Sequence, residues 1–372
     1  MRIRVAATVA ASCVGAGAAA VAAGRYASGL ALRPRPDVSL DGSGESLTVH
    51  EVTGDRVTLT RSLASARPGL LGLTGAHCHA AVGDVLATAP ASVTRRLERV
   101  QYGTLEPGER VRLTPQVYAV DPREALGLEY ADDRVEGELG PLPAWFVPGA
   151  RATWVIAVHG LGTTREHPMV VLPLLYRLKF PVLHVSYRND PGAPKSPDGI
   201  GHLGDTEWRD VDAAVRHAVR YGAEHVVLYG WSTGASMALR VADHSPLRDR
   251  ITGLVLDSPV LDWQAVVRAV ARDRGMPQAL LPLATRAAAG RTGLHAERLT
   301  GSADPARLRL PVLLAHGPGD TVSPYRASLE FARRRPDLVT LHTVPRAGHQ
   351  EMWNVAPEAY EEALRRFLTP LM

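Results

Sequence analysis

The chain has 372 residues, of which 45% are hydrophobic and 22% charged, a composition that suits a globular protein with a sizeable core. Its 42 basic and 38 acidic side chains give a formal net charge of +4, and the two signs are mixed along the sequence. This mixture argues against a nucleic-acid-binding protein, and the length predicts one large domain with additional material, or two domains.

Residues 1–24 have the layout of a secretory signal or a single membrane anchor. Arg2 and Arg4 precede an uncharged run, 5–24, that is rich in Ala, Val and Gly and long enough to span a bilayer. Small residues within this run would also suit a signal peptidase, and a soluble Ala-rich helix is the remaining alternative. We therefore expect a protein anchored in the cell membrane or exported, rather than cytoplasmic. Cys13 lies in this run, so a bridge between Cys13 and Cys78 is not expected.

The next part of the chain predicts a linker followed by a small β-rich module. Residues 25–45 carry Pro and Gly at intervals typical of a linker. Between 46 and 128, short β-like runs alternate with turns. The triplet from His77 to His79 resembles a metal-binding pattern, but no third or fourth ligand lies nearby. We therefore interpret these histidines as surface residues and predict no metal site.

From residue 133 the pattern changes to short apolar strands that alternate with amphipathic helices, which predicts a mostly parallel sheet flanked by helices. Two leading strands are expected within 135–147. The later strands are predicted at 154–159, 181–186, 225–229, 251–257, 311–316 and 338–342, and the helices near 166–179, 206–221, 233–244, 324–335 and 356–368. The segment 260–308 is longer than a strand-to-helix connection requires, so we predict a short helical lid there.

Ser232 is the candidate nucleophile. It lies at the centre of Gly-Trp-Ser-Thr-Gly (230–234), directly after a predicted strand and before a predicted helix. This strand–turn–helix arrangement exposes a serine Oγ, and the flanking glycines permit the tight turn. A glycine-bounded turn with an incidental serine is the alternative.

A serine needs a base and an acid, which in this chain order should follow it. His349 comes after the last predicted strand, next to Gly348, and is the candidate base. Asp320 follows the strand 311–316 and is the candidate acid that orients the base. Asp257, at the end of the preceding strand, is the rival acid.

Acyl transfer also requires donors for the oxyanion. The main-chain N–H of Thr233 is one candidate, and that of Leu161, in the glycine-containing loop after strand 154–159, is the other. His159 is expected to orient this loop. Arg188 follows a strand end, where ligands bind in such sheets, so it is a candidate contact for a substrate carboxylate or phosphate. The alternative is that Arg188 belongs to a structural network with Glu207 or Asp210.

These features together resemble the α/β-hydrolase superfamily over residues 133–372. The residues that carry the resemblance are His159-Gly160, 230–234, His316-Gly317-x-x-Asp320 and Gly348-His349. Further motifs at 142–148, 187–190, 203–208 and 256–259 resemble actinobacterial α/β-hydrolases with an N-terminal anchor. The resemblance implies an α/β-hydrolase fold and hydrolysis through an acyl-enzyme, without metal or organic cofactor.

The function we expect is a serine hydrolase that cleaves a carboxylic ester, or a related acyl bond, of a small-molecule substrate. Peptide and thioester bonds are less favoured by these motifs. The alternatives are a serine peptidase of the aminopeptidase type, an acyltransferase, and a non-catalytic binding protein that retains the fold.

Overall fold

The computed structural model describes residues 45–292 and 304–372, together with Tyr26 and Leu32. The predicted anchor or signal, residues 1–24, lies outside these residues, as does most of the predicted linker. Within the described part of the chain, no helix combines the length and the apolar character that a membrane span requires.

The N-terminal module is a closed, antiparallel six-stranded barrel, with neighbouring strands in the order β1-β2-β5-β4-β3-β6. Its interior is filled by apolar side chains such as Leu47, Leu59, Leu73 and Leu113. The strands are β1 (Leu47–Thr53), β2 (Arg56–Thr60), β3 (Leu71–Thr74), β4 (His79–Thr88), β5 (Ser92–Tyr102) and β6 (Arg110–Thr114). Closure pairs β6 with β1, so the barrel leaves no free edge strand.

The second part of the chain is an eight-stranded sheet. The strands are β7 (Ala131–Gly137), β8 (Gly140–Val147), β9 (Thr153–Val158), β10 (Val182–Val185), β11 (His225–Trp231), β12 (Ile251–Asp257), β13 (Val312–His316) and β14 (Val339–Thr343). Their order is β14-β13-β12-β11-β9-β10-β8-β7. β8 pairs antiparallel with β7 and β10, whereas the other neighbours are parallel. This is the predicted α/β-hydrolase architecture, including the two leading strands.

Helices cover both faces of the sheet. The helices are α1 (Pro122–Leu126), α2 (Leu172–Arg177), α3 (Trp208–Arg220), α4 (Thr233–His244), α5 (Trp263–Asp273), α6 (Leu281–Thr292), α7 (Tyr325–Arg334), α8 (Met352–Val355) and α9 (Pro357–Leu368). The core on one face includes side chains of α3, α4 and α7. The core on the other face includes side chains of α2 and α9 and two from the barrel part, Ala81 and Val117. The barrel therefore packs on the α2–α9 face of the sheet.

The predicted lid segment contains α5 and α6, which share a separate apolar cluster with Leu203 and Leu32. Asp262 caps α5, because its side chain accepts a hydrogen bond from the Ala265 N–H at 3.0 Å. Residues 293–303, also within the predicted lid, lie outside the described residues.

Candidate active site

Ser232 lies at a sharp turn between β11 and α4. Its backbone has φ 51° and ψ −115°, a conformation that non-glycine residues rarely adopt and that is typical of functional sites. A Cβ at Gly230 would overlap the main chain of Gly234 and Ala235, and a Cβ at Gly234 would overlap the Val158 carbonyl. The two glycines are therefore required for the close packing of this turn.

The structure brings Ser232, His349 and Asp320 into one hydrogen-bonded chain. Ser232 Oγ lies 2.7 Å from His349 Nε2, and His349 Nδ1 lies 2.7 Å from Asp320 Oδ2. A carboxylate only accepts hydrogen bonds, so Nδ1 carries the proton and Nε2 is left to accept the proton of Ser232. Ser232 and His349 are 117 positions apart along the chain, and Asp320 and His349 are 29 positions apart. The three side chains thus have the arrangement of a nucleophile, a base and an orienting acid.

Asp320 is held by four hydrogen bonds. Besides His349, its Oδ2 accepts from His316 Nε2 at 2.9 Å, and its Oδ1 accepts from the N–H groups of Val322 and Ser323, each at 2.8 Å. Burial alone would raise the pKa of Asp320, but the charges and hydrogen bonds of His349 and His316 outweigh it and lower that pKa. Asp320 therefore stays ionised and fixed in orientation. This role of His316 was not predicted, although its spacing of four residues from Asp320 in the sequence is a usable signal.

The rival acid, Asp257, belongs to a different network. It is fully buried and accepts hydrogen bonds from Ser258 Oγ at 2.7 Å and from the Tyr360 hydroxyl at 2.9 Å. The Tyr360 hydroxyl also lies 2.6 Å from that of Tyr229. Burial raises the pKa of Asp257 to about 7. Because it is Asp320 that bonds to the ring of His349, the geometry favours Asp320 as the acid.

The loop after β9 lies against the nucleophile. A Cβ at Gly160 would come within 2.7 Å of Ser232 Cβ, so glycine permits the approach. Leu161 is the next residue, and Thr233 begins α4, whose N-terminus favours negative charge. Gln350 Nε2 donates to the Leu161 carbonyl at 3.3 Å. The two candidate oxyanion donors therefore belong to the two segments that meet at Ser232.

His159, which is predicted to orient this loop, contacts it through Nδ1, which lies 3.0 Å from the Gly160 carbonyl oxygen. It is fully buried, its Nε2 lies 2.7 Å from Asp190 Oδ2, and its ring stacks on Tyr187 with 4.4 Å between centroids. Burial opposes a charged ring, but the charge and hydrogen bond of Asp190 outweigh it and raise the pKa of His159. His159 thus bonds to Asp190, in a network separate from the hydrogen bonds that join Ser232, His349 and Asp320.

Arg188 is buried and engaged with carboxylates. Its Nε and Nη2 donate to the two oxygens of Asp210 at 2.8 and 2.7 Å, and Nη2 also reaches Glu138 at 3.1 Å. Glu207 instead accepts the main-chain N–H groups of His202 and Gly204. The structure thus places Arg188 in the alternative network with Asp210, although the residue lines the cavity beside Leu161 and Thr233.

The side chains of His77 and His79 do not lie on the same face of the barrel wall. His77 is exposed, but His79 is buried, and its ring nitrogens lie 2.8 Å from Thr74 Oγ1 and 3.1 Å from the Val117 carbonyl. The interpretation of both as surface histidines is therefore wrong for His79, because β4 turns it inward. Cys78 is buried and forms no disulfide, and Cys13 lies outside the described residues. No group of three or more potential metal ligands occurs in the described ranges.

Two family models match the chain. The model of the Alpha/beta hydrolase family matches residues 155–363, more than half of the chain. A model described as Domain of unknown function (DUF8805) matches residues 48–114, which are the barrel strands and their connections. No curated protein matches the chain significantly in sequence.

Solved structures that are similar to this chain include two esterases. The Pyrococcus furiosus esterase Pf2001 has 21% identity and a TM-score of 0.55, over 69% of this chain and 95% of its own. The esterase of Pyrobaculum calidifontis has 18% identity and a TM-score of 0.47, over 65% and 84%. At these identities the likeness to Pf2001 shows the fold, and the family model shows the relationship. The chain belongs to the alpha/beta hydrolase family.

Proposed function

We propose that the protein is a serine hydrolase that cleaves a carboxylic ester, or a related acyl bond, through an acyl-enzyme on Ser232. The observation that carries the proposal is the continuous chain of 2.7 Å contacts from Ser232 through His349 to Asp320. The similar fold of Pf2001, which is an esterase, agrees with a hydrolytic activity.

The chemistry follows from these contacts. Ser232 Oγ attacks the carbonyl carbon while its proton passes to His349 Nε2, and Asp320 stabilises the imidazolium. The N–H groups of Leu161 and Thr233 bind the oxyanion. His349 then gives the proton to the leaving alcohol, which leaves an acyl group on Ser232. Water attacks this ester with His349 again as base, so the acid is released and Ser232 regains its proton.

We propose that a small cavity lined by Leu161 and Thr233, the candidate oxyanion donors, receives the acyl group, with Ser232 next to it in sequence but not among its lining residues. It has a volume of about 40 Å³ and is lined mainly by apolar surface, including Leu161, Leu203, Met237 and Leu32. The small volume favours a short acyl chain, and the apolar lining favours an uncharged one.

The test is turnover of p-nitrophenyl acetate together with labelling by a fluorophosphonate probe. Ser232→Ala should lose both, with kcat lower by at least about 10³-fold, because the nucleophile is absent. The matched control is Ser236→Ala, one turn along α4, where the hydroxyl donates to the Val260 carbonyl at 2.9 Å. Ser236→Ala should label and turn over normally. A wild-type protein that folds but neither labels nor hydrolyses any ester would contradict the proposal and favour a binding protein.

A further inference from the structure

The loop between β2 and β3 of the barrel lies against the segment that carries the candidate base. Arg67 Nη1, in that loop, lies 2.8 Å from Glu351 Oε1 in an ion pair. The Glu351 side chain is only 1% exposed and that of Arg67 17%. A buried carboxylate requires a cation or several donors nearby, so Arg67 allows Glu351 to stay inside the protein.

Glu351 in turn closes the short turn that contains His349. Its Oε2 accepts the Gly348 N–H at 3.1 Å, and its own N–H donates to the Gly348 carbonyl at 3.2 Å. Gln350, between them, has φ 62°, in the left-handed region. The side chain of Glu351 therefore helps to set the main-chain path on both sides of His349.

A second attachment lies three residues further along. The Leu70 N–H donates to the Asn354 carbonyl at 3.0 Å, and Asn354 Nδ2 donates to the carbonyls of Leu70 and Pro115 at 2.7 and 2.9 Å. Gly69 makes this approach possible, because a Cβ there would overlap the Asn354 carbonyl. The segment 348–354, which carries His349, is thus joined to the barrel part by main-chain as well as side-chain hydrogen bonds.

The loop of the barrel is itself held in shape from within. Arg95, a fully buried residue of β5, donates through Nη1 to the carbonyls of Ser65 and Arg67 and through Nη2 to that of Gly69. Arg67 therefore projects from a fixed main chain, which limits the movement available to its partner Glu351.

A third contact reaches the oxyanion loop. Gln116, just after β6, accepts through Oε1 the N–H of Thr164 at 3.0 Å and its hydroxyl at 3.1 Å. Thr164 lies three residues after Leu161 in the same loop. The barrel part therefore contacts both loops that surround Ser232, at positions that do not line the cavity.

We propose that the N-terminal barrel positions the candidate catalytic machinery: Arg67 holds the His349 loop through Glu351, and Gln116 holds the oxyanion loop through Thr164. This inference rests on the proposed serine hydrolase activity. Arg67 and Gln116 are positioning residues, because neither touches the reacting atoms. Displacement of a base or an oxyanion donor by about 1 Å costs on the order of 100-fold in rate, so small changes in these contacts have large effects.

The test compares full-length variants by kcat and KM for p-nitrophenyl acetate, by the rate of fluorophosphonate labelling, and by thermal melting. Arg67→Met keeps the length of the side chain but leaves the Glu351 carboxylate without this cation. It should lower kcat and the labelling rate by about 10- to 100-fold with KM changed less than about threefold. Arg67→Lys should recover much of the rate, because it restores the charge. Combining Arg67→Met with Glu351→Gln should also recover it, because the new amide can still accept the Gly348 N–H.

The second variant and its control address the other loop. Gln116→Ala, at a half-buried position, should slow labelling by about tenfold with KM preserved. Arg99→Ala is the matched control, since Arg99 also joins the barrel to an outside segment, donating to the carbonyls of Glu124 and Ala125 in α1. It should leave kcat unchanged.

Folded Arg67→Met with wild-type kcat and labelling would overturn the inference. If that variant fails to fold, Gln116→Ala decides: slowed labelling supports the inference and normal labelling overturns it. If the folded wild-type protein has no activity, both this inference and the proposed function are refuted. If the wild-type protein is active and the variants keep its kcat and labelling rate, only this inference is refuted.

Discussion

Asp320→Asn should remove most of the activity without removing the fold, because it forces the wrong proton position on His349. Asp320 Oδ1 accepts two buried main-chain N–H groups at 2.8 Å, so the oxygen of the new amide must remain there. Its NH2 group then takes the position of Oδ2, 2.7 Å from His349 Nδ1, and donates to that nitrogen. His316 Nε2, which lies 2.9 Å from Oδ2, loses its acceptor, and the proton of that ring moves to Nδ1, beside Ser328 Oγ. The proton of the neutral His349 ring moves to Nε2, which can no longer accept the proton of Ser232.

The size of the effect follows from the cost of the opposite amide orientation. Turning the amide over would place NH2 against the N–H groups of Val322 and Ser323 and leave two buried donors without acceptors. Each such loss costs about 1–3 kcal/mol, so the productive ring tautomer lies about 2–6 kcal/mol higher. At 1.36 kcal/mol for each factor of ten, kcat should fall by roughly 30-fold to 3 × 10⁴-fold.

The assay is kcat on p-nitrophenyl acetate, with thermal melting to confirm folding. Asp337→Asn is the control, because Asp337 is exposed and pairs with Arg335 at the surface. The reasoning is refuted if folded Asp320→Asn keeps kcat within threefold of the wild type. Loss of activity in Asp257→Asn, with Asp320→Asn active, would transfer the role of the acid to Asp257.

Three further predictions concern stability and substrate. Burial raises the pKa of Asp257 from 3.8 to about 7, so the native state holds a proton that the unfolded state releases between pH 4 and 7. The contribution of Asp257 to the free energy of unfolding is therefore complete below pH 4, falls by on the order of 4 kcal/mol between pH 4 and pH 7, and stays constant above pH 7. Urea unfolding measured across this range should show a smaller fall for Asp257→Asn. Gly234→Ala should lower the free energy of unfolding in urea by about 2–3 kcal/mol or more, because its Cβ would overlap the carbonyls of Val158 and His159; an unchanged unfolding midpoint would contradict the packing argument. Met237→Ala should enlarge the cavity and shift kcat/KM from acetate towards butyrate esters, whereas an unchanged preference would place the acyl group elsewhere.

The sheet and the candidate nucleophile were predictable because their signals are local. All six residues of β9 are buried, and five of them, 154–158, form a continuous apolar run. The glycines around Ser232 permit a turn that few other residues allow. His349 and Asp320 were found from chain order, because parallel strands end at the same edge of a sheet and bring their following loops together. The connection of Asp320 to His316 needed only the recognition that residues four apart, one at a strand end, can meet across a tight loop.

Other features could not be read from local patterns. Arg188 follows a strand end, as a ligand-binding residue would, but its guanidinium is occupied by Asp210, 22 positions later. The inward side chain of His79 depends on the register of β4 in the barrel, which a short run with His at alternate positions does not define. In both cases the environment of the side chain depends on a distant partner, Asp210 for Arg188 and the neighbouring strands for His79, and no local sequence pattern identifies that partner.

The contacts between the barrel and the segment that carries His349 depend entirely on the tertiary fold. Leu70 and Asn354 are 284 positions apart, and neither belongs to a residue pattern with chemical meaning. Yet Asn354 is only five residues from His349, and Gln350, which follows His349 in its turn, adopts an unfavourable φ. A turn under such strain needs neighbours that hold it, and here those neighbours belong partly to another module. The position of His349 is therefore expected to depend on the barrel, even though Ser232, Asp320 and His349 all lie in loops and turns of the α/β-hydrolase part of the chain.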